Sequence, residues 1–199
     1  MARYGGGTGV PPKDVNATRY VDIPSFSKNR HKKDRIVNAI IETPKGSAQK
    51  YALRPEYGII EFHEVMPNGL TWPYDYGFIP QTLAKDGDAL DILVINENGY
   101  FSGCFLEARV LGIVREDKNG TENDRIIAVP LPSPGAPQPT DDYREIRDVP
   151  ETILATIHDF LLQYSTQQGN VIDAKGVFGA DDALKEIRKT MKAFRKDRD

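Results

Sequence analysis

A single cysteine, Cys104, stands in 199 residues, so no intrachain disulfide can form and a reducing compartment is expected. No apolar run approaches the roughly 18 residues that span a bilayer. The opening "MARYGGGTGV" has no apolar stretch of the kind a secretory leader needs. These absences predict a cytoplasmic chain that does not enter a membrane. An excess of one charge is missing too: 26 basic residues face 29 acidic ones, a net charge of −3. A nucleic-acid binder needs a basic footprint, so nucleic acid is excluded as a partner. The glycines of "GGGTGVPPKD" are not followed by the Gly-Lys-Ser/Thr that would make them a phosphate-binding loop.

What is present is ordinary for a soluble globular protein, with 39% hydrophobic and 28% charged residues. Residues 1–35 read as a flexible tail, Gly/Pro-rich and then a solvated charge run, "SKNRHKKDR". Residues 36–199 read as one domain. Short β-rich segments follow one another: "RIVNAIIET", "QKYAL", "GIIEFHEVM", "LDILVI", "CFLEARVLGIVRE" and "RIIAVPL". Asn119-Gly120 predicts a tight hairpin turn, which makes the last two segments antiparallel neighbours. After the proline-rich "PSPGAPQPTDD" the apolar spacing becomes helical, with Ile153, Ile157, Phe160, Leu161 and Tyr164 on one face. A second helix is predicted in "GADDALKEIRKTMKAFRKD", acidic at its start and basic at its end as the macrodipole prefers. The pattern predicts a mainly β fold: a five-stranded closed barrel from about residue 36, with helices near 150–165 and 181–195 packed outside it.

The chemistry-bearing stretch is "KDGDALDILVI". Asp86, Asp88 and Asp91 crowd three carboxylates against the start of an apolar strand. Close carboxylates repel, and one is pushed toward protonation unless a cation sits among them. The stretch is a solvated turn or half of a metal site, and its spacing does not suit an EF-hand loop. Just upstream stands "WPYDYGFIP", an aromatic run that is core or, through a tyrosine hydroxyl, a phosphate donor. A second acidic cluster, "REDKNGTENDR", is a charged hairpin tip unless it joins a site. Lys50 and Glu42 are unremarkable one by one.

In order, "IETP", "QKYAL", "WPYDYGFIPQTL", "DGDALDILVI", "NDRIIAVP" and "FLLQY" resemble the soluble inorganic pyrophosphatases, from about Arg35 to the C-terminus. That resemblance implies an oligonucleotide-binding-like (OB-like) barrel and Mg²⁺-dependent hydrolysis of pyrophosphate to two orthophosphates. It implies a homo-oligomer as well. Asp86 and Asp91 match metal ligands, and Glu42 matches an acidic residue facing the metals. Asp117 matches a further ligand across one inserted residue, and Asp124 stands in, by a one-residue slip, for the family's aspartate that is Asn123 here. Asp88 matches the aspartate that activates the attacking water, with Tyr76 beside it in the catalytic set. Lys50, Tyr76, Tyr164 and Arg125 match phosphate-holding groups.

The family's proline in the Asp-x-Asp motif is Ala89. On the substrate side, an expected glutamate is Ala52, an expected arginine is Glu64, a usual tyrosine is Trp72, an expected aspartate is Asn123 and a usual lysine is Ser165. Each lost charge-assisted contact to a polyanion is worth roughly 1.5–3 kcal/mol. These departures predict reduced or retuned activity. The alternatives they imply are an impaired relative acting by binding, or a phosphohydrolase for another small phosphorylated substrate.

Overall fold

The computed structural model describes residues 20–27, 35–133, 135 and 137–198. Among the described residues lie nine strands and two α-helices: β1 (Ile36–Thr43), β2 (Gln49–Arg54), β3 (Ile59–Val65), β4 (Asp75–Phe78), β5 (Asp91–Val94), β6 (Phe105–Lys118), β7 (Thr121–Glu122), β8 (Arg125–Pro130), α1 (Glu151–Gln167), β9 (Ile172–Gly179) and α2 (Ala180–Arg198). The fold is mainly β with two helices, at the positions the periodicities predict. Most of the predicted tail lies outside the described residues. Within it, residues 20–27 pack on the sheet, where Phe26 bridges Val37 and the Ser25 hydroxyl donates to the Pro80 carbonyl at 2.6 Å.

The strand count differs from the five expected. One sheet holds seven strands, and β2–β3 form a separate two-stranded sheet. The pairings run β1–β4–β5–β8–β6, and β6 also pairs with β1. β7 and β9 are additions to the long β6. β4, β9 and the two-residue β7 are the strands that sequence pattern missed. β4 lies inside the aromatic run, whose rings are themselves strand formers. β9, "IDAKGVFG", is largely exposed and lacks a buried alternating face, so it carries little pattern to read.

The continuous apolar runs of β5 and β8 follow from burial on both faces. Ile92, Val94, Ile126 and Ala128 join the core that receives Ala183, Leu184 and Ile187 of α2. Their neighbours Leu93, Ile95, Ile127 and Val129 join a second core with Trp72 and with Ile157, Phe160, Leu161 and Tyr164 of α1. A period of two thus divides each strand between two helices. The hairpin turn is as predicted: Asn119 and Gly120 have φ of 53° and 82°, the doubly positive pattern of a tight two-residue turn.

Gly77 in β4 marks the closest approach in the sheet. A Cβ there would lie 1.9 Å from the Ile40 carbonyl oxygen and 2.9 Å from the Ile41 Cα, both backbone atoms that cannot swing aside. Gly77→Ala is therefore expected to cost about 3 kcal/mol, the upper end of overpacking penalties, read as a lowered denaturant midpoint.

Candidate active site

Three pieces of chain converge beside the cores. A register shift in β1 between Ile41 and Thr43 brackets Glu42. Glu42 is buried, and its Oε1 accepts the Leu53 amide at 2.6 Å, holding β2 against the end of β1. The loop between β4 and β5 is closed by Thr82, whose hydroxyl donates to the Ile79 carbonyl at 2.5 Å and accepts the Leu90 amide at 2.9 Å. That closure delivers Asp88 on the loop and Asp91 as the first residue of β5 to the same side. The third piece is the end of α2, with Phe194 and Asp197. Between them lies a cavity of about 260 Å³.

Its wall carries four carboxylates, Glu42, Asp88, Asp91 and Asp197, with the Tyr76 ring. Among the described residues, Lys50 is its one basic side chain. The electrostatics follow from this imbalance. Burial raises Glu42 to about 8, against the opposing Leu53 hydrogen bond, and Asp91 and Asp88 raise it further while Lys50 opposes them. Burial raises Asp91 to about 6, although Arg125, the Tyr76 hydroxyl and Lys50 favour its charge. Asp88 is raised by burial and by Asp86, against Lys50 and His63. Tyr76 is pushed well above the ordinary phenol range by burial and then by Asp91, so its hydroxyl stays a donor to that carboxylate.

Of the predicted site residues, the fold brings Glu42, Lys50, Tyr76, Asp88 and Asp91 onto one wall. Asp86 sits on the exposed turn, with Oδ1 accepting the Asp88 amide at 3.2 Å, and is not on the wall. Asp117 is paired with Lys175, and Asp124 lies 3.8 Å from Arg115 Nε. Arg125 is buried behind the cavity, bonded to Glu116 and to the Asn123 carbonyl, with Nε 3.7 Å from Asp91. Tyr164 stands behind Lys50, whose Nζ lies 5.6 Å from the centre of its ring and 6.0 Å from that of Tyr76.

The departures separate in the same way. Ala52 is on the cavity wall. Trp72 is a core residue, 4.3 Å from the Tyr76 ring and 4.9 Å from Phe160 between centroids. Ser165 is buried in α1 at 1% exposure.

Sequence reasoning missed the Leu53 amide, Phe194, Asp197 and Glu116. Glu116 had a signal, a glutamate inside the β-rich run "VLGIVRE". Asp197, in a solvated-looking helix end, had none.

The donor set suits a hard divalent cation, because carboxylate oxygens crowded beyond what Lys50 can balance are what such an ion relieves. Among the described residues no three acidic, histidine or cysteine side chains lie close enough to chelate an ion unaided. Mg²⁺-like ions do not require that, since they keep several waters and bind through one or two carboxylates and substrate phosphates.

A family model described as "Inorganic pyrophosphatase" matches residues 39–195. The chain is 37% identical over 154 residues to the inorganic pyrophosphatase of Geobacillus stearothermophilus, covering 77% of this chain and 91% of that one. It is 32% identical over 159 residues to the soluble inorganic pyrophosphatase of Oryza sativa subsp. indica, covering 80% and 72%. Among solved structures, the inorganic pyrophosphatase from Thermus thermophilus superposes with a TM-score of 0.74 at 31% identity, covering 86% of this chain and 98% of that one.

Proposed function

The chain belongs to the inorganic pyrophosphatase family, and from that premise we propose that its cavity hydrolyses inorganic pyrophosphate to two orthophosphates with Mg²⁺. The observation that carries the reading is the composition of the wall, four carboxyl groups against one ammonium. A polyanion enters such a cavity only in company with cations. When bound, the divalent ion neutralises phosphoryl charge and makes water more acidic. Glu42 and Asp91 would hold it from the wall, with Asp86, Asp117 and Asp124 as the further ligands that the family pattern supports.

The protein's own residues then divide the work. Asp88, raised by burial, takes the proton of the water that attacks one phosphorus. The bridging P–O bond breaks, and the second orthophosphate leaves with its electrons. Lys50 faces the departing charge as the one basic group of the wall. Tyr76 orients Asp91 through its hydroxyl. Arg125 holds Asp91 in place from behind, and Tyr164 backs Lys50. The apolar remainder of the wall, including Leu53, Phe78 and Phe194, excludes bulk water.

The test is phosphate release from pyrophosphate with and without Mg²⁺, beside other phosphorylated compounds. Release that needs Mg²⁺ and prefers pyrophosphate supports the reading. Release from another phosphate compound alone moves the substrate, and no release in any arm sinks the activity. Lys50→Met removes the wall's one cation and is expected to lower kcat/KM roughly ten- to a hundredfold, the range of a charge-assisted hydrogen bond.

The circuit of pairings from β1 through β4, β5, β8 and β6 back to β1 supports a closed, OB-like barrel with β7 and β9 outside it. Exposed Tyr57, Phe62, Phe101 and Phe105 support a homo-oligomer in which second copies cover apolar surface. Cytoplasmic residence belongs to the same reading. No described helix is long and apolar enough to cross a membrane.

A further inference from the structure

Glu64 stands where the family pattern has a phosphate-gripping arginine. Read from charge alone, it is a repulsive intruder. Its contacts show a different use. Glu64 is on β3, paired in register with Lys50 on β2. Its Oε1 accepts the Tyr164 hydroxyl at 2.5 Å and Gln168 Nε2 at 2.9 Å, and its Oε2 accepts the same Gln168 amide at 3.0 Å. The partners are at the far end of α1 in sequence, 100 and 104 residues away. The carboxylate's two oxygens are thus turned toward α1, and Glu64 is not on the cavity wall.

The β2–β3 hairpin needs such an anchor because no ladder joins it to the main sheet. On the β2 side it is held by Glu42 to the Leu53 amide at 2.6 Å and by the Thr43 hydroxyl, which accepts the Tyr51 amide at 2.9 Å and donates to the Tyr51 carbonyl at 3.0 Å. On the β3 side the side-chain ties to the helix are Glu64 and, just beyond the strand, Asn68 to Gln167 at 3.0 Å. The hairpin carries Lys50, Ala52 and Leu53 of the wall. The Tyr164 ring that Glu64 fixes by its hydroxyl is the ring over which the Lys50 ammonium rests.

We propose that Glu64 is a positioning residue: it clamps the β2–β3 hairpin to α1 through Tyr164 and Gln168, and so sets the Lys50 ammonium over the cavity. The proposal rests on the pyrophosphatase reading for its kinetic consequence and not for its structural one. Restoring the family's residue by Glu64→Arg should therefore harm the enzyme, because a guanidinium accepts no hydrogen bond from Tyr164 or Gln168. Its kcat/KM for pyrophosphate is expected to fall about tenfold, the value of one charge-assisted bond, mainly through KM.

The experiment compares wild type with Glu64→Arg, Glu64→Ala, Glu64→Gln and Gln168→Ala, all as the full chain. Steady-state kinetics on Mg²⁺-pyrophosphate is read beside amide hydrogen exchange of residues 49–65. Glu64→Ala is expected to raise KM and speed exchange in the hairpin, with the main-sheet amides unchanged. Gln168→Ala should do the same to a smaller extent. Glu64→Gln keeps an acceptor for Tyr164 and should recover most of both readouts. Tyr164→Phe combined with Glu64→Ala should add little to Glu64→Ala alone, because that change already removes the Tyr164 bond. A Glu64→Arg enzyme with raised kcat/KM overturns the proposal, as does unaltered hairpin exchange in Glu64→Ala. If wild type releases no phosphate, the activity reading fails, while the exchange comparison still decides whether Glu64 is the clamp.

Discussion

Asp91→Asn is expected to lower kcat/KM for pyrophosphate by about 10³ while leaving the fold intact. Asp91 is the carboxylate on which the site's contacts meet: the Tyr76 hydroxyl bonds it, Arg125 Nε stands 3.7 Å away, and it faces the cavity beside Glu42 and Asp88. Removing one fixed charge aimed at a reacting centre costs roughly 10²–10³ in rate. Loss of cation binding should place this variant at the upper end. Asparagine keeps an oxygen to accept from Tyr76, so local packing survives. Without divalent ions the variant should be no less stable than wild type, since it removes one of several buried, mutually repelling carboxylates. Added Mg²⁺ should raise the melting temperature of wild type by linkage and move that of Asp91→Asn much less. An Asp91→Asn protein with wild-type turnover and the same Mg²⁺ stabilisation would place the metal elsewhere.

Glu116→Ala is expected to destabilise the protein by about 3–5 kcal/mol, the cost of leaving one member of a buried ion pair alone. Glu116 and Arg125 face each other with side chains 4% and 6% exposed. Burial works against the Arg125 charge, but Glu116 and Asp91 keep it charged and well above its ordinary range. Without Glu116 the guanidinium retains the Asn123 carbonyl at 3.1 Å and the more distant Asp91. Chemical denaturation should show a lower midpoint at similar slope, and the melting temperature should fall by roughly 10 °C. Replacing both partners by methionine should cost less than Glu116→Ala, because no charge is then left unpaired. Equal stability of Glu116→Ala and wild type would mean that Asp91 alone satisfies Arg125.

These two residues also show where pattern stopped being informative. Asp91 was legible because it lies in a dense local motif, three carboxylates within six positions beside a strand. Glu116 was legible only as part of an acidic, β-rich run, because its meaning depends on Arg125, which comes opposite only when β8 returns along β6, with Val114 facing Arg125 in register. Glu64 was legible in the wrong sense. Its charge could be read locally, but its partners lie 100 or more residues away on another element.

Local order along the chain determined a good deal of this protein by itself. The β-rich apolar runs, the turn at Asn119-Gly120 and the helical apolar spacing placed most strands and both helices, because burial periodicity and turn stereochemistry act over a few residues. The aspartate motif and its aromatic neighbour named the family for the same reason. Tertiary structure alone decided the rest. It fitted Gly77 against the Ile40 carbonyl, turned Trp72 and Ser165 into core, brought Asp197 from the last helix to the cavity wall and gave Glu64 to Tyr164. Each of those outcomes is a contact between distant segments. Its sign is set by which groups meet and how much water is left between them, and neither quantity is written in the neighbouring residues.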